Sequence, residues 1–236
     1  MTTSIPEAIS SHAHGADAVA RKGFGPRVRK LHARIGAAHR KTESMVFSRA
    51  LLEGQVSPLQ LAALIRTLAP AYALIEERGP DLACALGATD LPWKALRRGA
   101  ALAADQNALA SLPATPASAA ARGWLERLAT LAQEAPHRFL AHVYVRYGGD
   151  LSGGQQLAEQ ANGILVDHGL SPLQFWRFEQ PVAELKGAFH DAYEQLELSE
   201  AEEAELLEEA ESAFLATQAL LAELAELSEL EPAPVG

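Results

Sequence analysis

From Val28 the apolar positions Leu31, Ile35, Ala38 and Val46 recur at helical spacing, which predicts one helix running to a stop at Gly54. Ser57-Pro58 reads as a capped restart, and a second helix follows through Leu74. Shorter helical pieces are expected at 81–86 and 91–109, ahead of a loop at "SLPATP", residues 111–116. A third long helix covers 117–133. Pro136 opens the next, expected to continue past four glycines to about Asp167, with a kink where they cluster. "HGLSP" then interrupts, "PVAELKGAFHDAYEQLE" forms a helix with proline in its first turn, and Ser199 caps a last helix to about Leu230. Neither a strand, an internal repeat nor a domain linker is visible. The chain therefore reads as one all-α domain over 25–230, with a disordered lead at 1–24 and a polar tail at 231–236.

Composition supports this picture. Leucine and alanine dominate while valine and isoleucine are sparse, which favours helix, and 236 residues suffice to bury one core. The single cysteine, Cys84, excludes an internal disulfide or a cysteine-cluster metal site and suits a reducing cytoplasm. No signal peptide and no uninterrupted apolar run of membrane-spanning length is expected.

Charge sharpens it further. A net charge of −10 argues against general nucleic-acid binding. Yet residues 21–42 hold eight Lys or Arg and no acid, whereas 197–231 hold twelve Glu and no base. The acidic run is most simply a solvated helix face. The basic run is surface charge, a docking patch for an acidic partner, or a wall of an anion site.

"RYGGDLSGGQ", residues 146–155, departs most from the helical norm. Its second half spells the signature by which ABC-type ATPases touch nucleotide, but no Gly-Lys pair exists to build a phosphate loop and no strand to carry one. Glycine inside a helix costs roughly 0.5–1 kcal/mol relative to alanine, so Gly148, Gly149, Gly153 and Gly154 call for a compensating role. Close helix packing is the plainer account. The sharper one is a kinked helix whose bare backbone lies against a flat ligand.

A partner for that ligand is sought in "GAAHRKTES". His39 follows Ile35 by four and precedes Val46 by seven, which places it on the apolar face and predicts an inward ring. A lone inward histidine is more often a hydrogen-bonded core residue than a ligand. Glu43, one turn on, is able to hold one ring nitrogen and leave the other for a metal. His32, two turns earlier on the same face, is a partly exposed helix histidine or faces an anionic ligand edge.

Together, "HRKTESMVFSRALLEGQVS" and "RFLAHVYVRYGGDLSGGQQL" resemble the proximal and distal helix segments of the haem (heme) oxygenases, and "EEAESAFLATQALLAEL" resembles their C-terminal helix. The similarity spans roughly residues 27–228. The resemblance implies haem held between a proximal and a kinked distal helix, with His39 as iron ligand and Glu43 its hydrogen-bond partner. It implies that Gly149, Ser152 and Gly153 present the distal surface to haem and that Asp150 organises the water that delivers protons, supported by Arg146 and Tyr147. Tyr144, Lys186 and His32 would reach the propionates, and Phe214 would line the pocket. Two departures stand out: Gly148 replaces the leucine of mammalian members, which is expected to loosen the distal helix, and His190 replaces a propionate-binding arginine.

The activity implied is oxidative cleavage of haem to biliverdin, ferrous iron and carbon monoxide, haem being both substrate and cofactor. It calls for dioxygen, an external electron donor of ferredoxin or flavoprotein type, and a bilin acceptor where the product is a chromophore. A neutral imidazole gives less electronic push than a thiolate, so O–O cleavage is disfavoured and attack on the macrocycle competes. The alternative is a haem carrier or sensor on the same fold that does not turn over; a helical protein whose glycines serve packing alone would bind no haem.

Overall fold

The computed structural model describes residues 24–227. Ten helices occur among them: α1 (Pro26–Glu43), α2 (Val46–Leu52), α3 (Pro58–Ala85), α4 (Trp93–Leu96), α5 (Gly99–Ala108), α6 (Ala119–Glu134), α7 (Pro136–Ser152), α8 (Gly154–Asp167), α9 (Val182–Glu194) and α10 (Glu200–Glu226). The expected lead and tail fall almost wholly outside the described residues. Starts follow the local chemistry read from the chain. Ser57 and Ser199 each form a reciprocal capping box, with Gln60 and Glu202, and prolines open α1, α3 and α7. Gly54, at φ +70°, ends α2 where a stop was expected.

Three helical boundaries differ from the expectation. The single helix over 28–54 is two, because the chain turns at Ser44 and Met45 takes an extended conformation (φ −67°, ψ 153°) before Val46. Conversely, 58–85 is one helix where a break after Leu74 was expected, and it passes through Pro70 and Pro80. Each proline costs about 3 kcal/mol in a helix interior. Leu68, Ala71, Tyr72, Ile75, Gly79 and Ala83, buried on either side of them, offset it. Finally, the piece at 91–109 divides into α4 and α5.

By length and composition α3 is apolar enough to cross a membrane, although its apolar run is interrupted by charged residues. Its apolar side chains instead supply the centre of the core, packed against α5, α6 and α7. The last helix, α10, packs against both α1 and α7 and so joins the two segments that carry the predicted site.

The acidic run is also less solvated than expected. Arg27 and Lys30 pair with Glu203 (3.5 and 3.1 Å) and Arg34 with Glu211 (3.0 Å), so the basic first helix and acidic last helix neutralise each other across their interface. Glu209 is wholly buried.

A second device fixes α9. The Glu194 carboxylate accepts from the backbone of Arg27 and Val28 (3.1 and 2.7 Å), capping α1 from outside its own sequence. The Arg27 guanidinium returns the favour, donating to the carbonyls of Tyr193 and Glu194 at the end of α9 (2.8 and 3.2 Å). A side chain at Gly25 would overlap Glu194, so the glycine permits the contact.

Candidate functional site

His39 stands in the last complete turn of α1, with Nδ1 3.3 Å from the Glu43 carboxylate, which leaves Nε2 as the outward-facing nitrogen. Its side chain is 51% exposed, so the expected inward ring is corrected: the imidazole is half open to solvent and does not enter the closed core. The reason lies in the break at Ser44. Val46 belongs to a different helix and is 65% exposed, so the seven-residue spacing across the break carries no facing information. Phe214 of α10 is 7% exposed and stands edge-on to the His39 ring at 5.8 Å.

Toward the start of α1, three helices and the residue Phe24 just before α1 converge on an aromatic cluster. His32 lies 5.7 Å from His190 of α9 and 6.2 Å from Tyr144 of α7, and Phe24 stands edge-on to both histidines at 4.8 and 4.7 Å. Burial, the neighbouring His32 and Lys186 one turn earlier on α9 pull the His190 pKa down to about 4. Tyr144 is 1% exposed, and its buried hydroxyl has no hydrogen-bond partner. That is a costly state for a phenol in a core and marks a place where an acceptor belongs.

The last two turns of α7 carry the buried polar centre. Asp150, 4% exposed, accepts a 2.5 Å hydrogen bond from Tyr72 Oη of α3. Arg146 lies one turn away, with Nε 3.4 Å from Tyr72 Oη and Nη2 4.0 Å from the other Asp150 oxygen. Burial raises the Asp150 pKa, while Arg146, the Tyr72 hydroxyl, Arg98 and the Trp176 indole act in the opposite sense. Tyr147 turns away from Asp150. Its hydroxyl donates to Glu76 (3.2 Å), whose carboxylate also accepts from the backbone of Gly99 at the start of α5, and its ring meets Tyr72 edge-on at 5.5 Å. The Tyr72 ring thus stands against Tyr147 while its hydroxyl bonds Asp150.

The glycines divide into two kinds. A Cβ built on Gly148, Gly149 or Gly153 would meet nothing within 4 Å, whereas one on Gly154 would lie 2.7 Å from the Trp176 indole. Close packing accounts for Gly154 alone. Gly149, Ser152 and Gly153 lie exposed along one edge at helical spacing. The break comes at Gly153 (φ −97°, ψ −16°), where α7 ends and α8 begins, as the expected kink. At Gly148 α7 runs on unbroken.

Of the residues that sequence reading named, the structure brings His39, Glu43 and Phe214 together, sets His32, Tyr144 and Lys186 around His190, pairs Arg146 with Asp150, and leaves Gly149, Ser152 and Gly153 along one open face. Sequence reading missed Tyr72, Glu76 and Arg98. Tyr72 and Glu76 stand one turn apart in the most apolar helix of the chain, and a phenol and a carboxylate at that spacing on a buried helix signal a polar partner elsewhere.

Comparison with known proteins converges on one family. The heme oxygenase family profile matches residues 28–223. A heme oxygenase of Pyropia yezoensis is 27% identical over 168 residues, covering 69% of this chain and 71% of the relative. Among solved structures, heme oxygenase-1 from Synechocystis in complex with heme superposes with a TM-score of 0.78 at 23% identity, covering 87% of this chain and 97% of that one. The heme oxygenase of Leptospira interrogans gives 0.76 at 25% identity, covering 84% and 100%.

Proposed function

Because the chain belongs to the haem oxygenase family, we propose that it is an oxidoreductase that cleaves haem to biliverdin, ferrous iron and carbon monoxide with dioxygen and external electrons. The observation that carries this reading is the open glycine edge of α7 beside a buried carboxylate: three positions without side chains or neighbours flank Asp150. The residues present fit a flat, dianionic macrocycle. The glycines offer backbone at close range, the orphaned Tyr144 hydroxyl offers a buried donor, and His39 offers a free ring nitrogen.

Bound haem supplies the iron that activates dioxygen and the ring that is consumed. The protein's part is to bind, orient and deliver protons. His39 Nε2 would hold the iron, with Glu43 fixing the ring through Nδ1; since both are more than half exposed, that carboxylate polarises the imidazole only moderately. Tyr144, His32, Lys186 and His190 would receive the propionates at the cluster where α1, α7 and α9 meet. An anionic carboxylate placed beside His190 raises its pKa from about 4, so this end of the site strengthens as pH falls toward the resulting value. Asp150 has one oxygen tied to Tyr72 and the other 4.0 Å from Arg146, a gap that favours a bridging water over a direct bond. That water is the group from which a proton would pass to the oxygen side of the site. A donor of ferredoxin or flavoprotein type completes the reaction, and a bilin acceptor takes the product where it serves as chromophore.

The decisive experiment is His39→Ala. The variant should still take up haem through apolar burial, lose its histidine-ligated spectrum and recover it when imidazole is added. Wild-type spectrum and turnover in His39→Ala would remove His39 from the iron. A carrier or sensor on the same fold would bind haem in the same way yet yield no biliverdin when an electron donor is supplied.

A further inference from the structure

The last turn of α1 carries both His39 and Glu43, and it is also the turn with least support from its own helix, since the chain leaves at Ser44 and resumes in a new direction at Val46. Helix ends fray, because their final carbonyls lack intrahelical partners. Ser44 answers part of that need, its backbone reaching Arg40 and Lys41 and its hydroxyl the Lys41 carbonyl at 2.7 Å. Met45 reaches the Thr42 carbonyl, and a further hold on the turn comes from α10. Gln218, 7% exposed, directs its side-chain amide at two acceptors, the Ala38 carbonyl and the Thr42 hydroxyl oxygen, each at 3.2 Å. The Thr42 hydroxyl in turn donates to the Ala38 carbonyl at 2.9 Å. The arithmetic of donors closes: two amide hydrogens and one hydroxyl hydrogen serve three separate bonds.

The placement is specific. Ala38 immediately precedes His39, and Thr42 immediately precedes Glu43, so each of the two atoms that Gln218 grips belongs to the residue just before a member of the pair. Phe214, one turn before Gln218, meets the His39 ring edge-on at 5.8 Å. The same face of α10 thus contacts the imidazole through Phe214 and the backbone beneath it through Gln218. A threonine bonded back to its i−4 carbonyl tends to bend a helix, and here that bend is tied to a fixed neighbour.

We propose that Gln218, acting through Thr42 and the Ala38 carbonyl, is a positioning residue that sets the tilt and rigidity of the turn presenting His39 to the haem iron. This rests on the reading of His39 as the iron ligand.

The test uses two kinds of measurement on the full chain. Gln218→Leu removes both donors at similar volume, and Thr42→Val removes the hydroxyl at constant shape; Thr42→Ser keeps it. In the haem-free protein, backbone amides of the last turn of α1 should exchange on the order of tenfold faster in Gln218→Leu and Thr42→Val, with the double variant no faster than either alone, while Thr42→Ser matches wild type. In the haem-loaded ferrous protein, the iron–histidine stretching band should broaden or move to lower frequency in the first two variants and stay in place in Thr42→Ser. Faster exchange with an unchanged band would show a purely structural contact and overturn the proposal, as would unchanged exchange. Persistence of the iron–histidine band in His39→Ala would instead locate the failure in the ligand assignment. Should Gln218→Leu fold poorly, Thr42→Val alone carries the test.

Discussion

Two buried carboxylates of this protein, Glu209 and Asp150, are handled in opposite ways. Glu209 of α10 is fully buried and fully engaged. Arg127 reaches it with two nitrogens (3.1 and 2.6 Å), Arg138 with one (3.0 Å) and His142 Nε2 with another (2.9 Å). Trp124 donates to His142 Nδ1 (3.2 Å), and since an indole only donates, the imidazole proton sits on Nε2, aimed at Glu209. Burial alone would raise the Glu209 pKa, but the bonds from His142 and Arg127 outweigh it and bring it to about 2. Asp150 has one short bond from a neutral phenol and a cation held off at 4.0 Å, and its pKa is raised by burial. A saturated carboxylate joins α6, α7 and α10 and has no capacity left for chemistry. An unsaturated one beside an open glycine edge keeps a lone pair for water and for proton movement, at a cost in stability.

The largest expected effect follows from removing Asp150. Asp150→Ala should retain haem but form biliverdin about 100-fold more slowly or worse, the scale of a lost proton-transfer group; product absorbance with an electron donor reads this out, and normal turnover would make Asp150 another structural carboxylate. Glu209→Ala should do the reverse. Leaving two guanidiniums and an imidazole without their acceptor should cost about 3 kcal/mol, discounted because both arginines are partly exposed, with haem affinity and turnover per folded molecule unchanged. A thermal midpoint within a degree of wild type would refute the structural assignment.

The glycines provide a finer contrast. Gly154→Ala presses a methyl group into Trp176 and should destabilise the fold by about 1–3 kcal/mol. Gly149→Ala should stabilise the haem-free protein by roughly 0.5–1 kcal/mol, since its Cβ meets nothing and alanine is the better helix former, yet weaken haem binding. Equal effects of the two on stability would erase the distinction between packing and ligand glycines.

The smallest effect is in acid. Glu209 has a folded pKa below its ordinary 4.5, so its contribution is complete above that value and is lost as pH falls from 4.5 toward 2. Asp150, with a raised pKa, binds its proton more readily in the folded chain, so its protonation favours folding as pH falls. Stability measured against pH should therefore flatten in the acid range for Glu209→Gln, whereas Asp150→Asn should lose the opposing contribution and fall more steeply.

How much of this was visible in the chain depends on how local the cause is. Helix starts at Ser57, Pro136 and Ser199 rest on side chain and backbone within one turn, and they lie where the sequence places them. The string around Asp150 and the His39–Glu43 pair was legible for the same reason, as spacing on a single helix. The breaks were not. A helix continues through Pro70 and Pro80 because distant residues bury its faces, and α1 stops at Glu43 despite an apolar pattern that runs past it.

Helix content, the all-α class and the kink at the glycines were thus decided by residue type and periodicity, which act over a few positions, whereas His39 was singled out as a ligand by family resemblance, since periodicity alone pointed its ring inward. Tertiary packing alone decided that Tyr72 reaches Asp150 across 78 residues and that Glu209 is consumed by two guanidiniums and an imidazole from two other helices. It also separated Gly154, which fits an indole, from three glycines that face open space. Those outcomes depend on which helices become neighbours, and a one-dimensional pattern shows which face of a helix is apolar without showing what that face will meet.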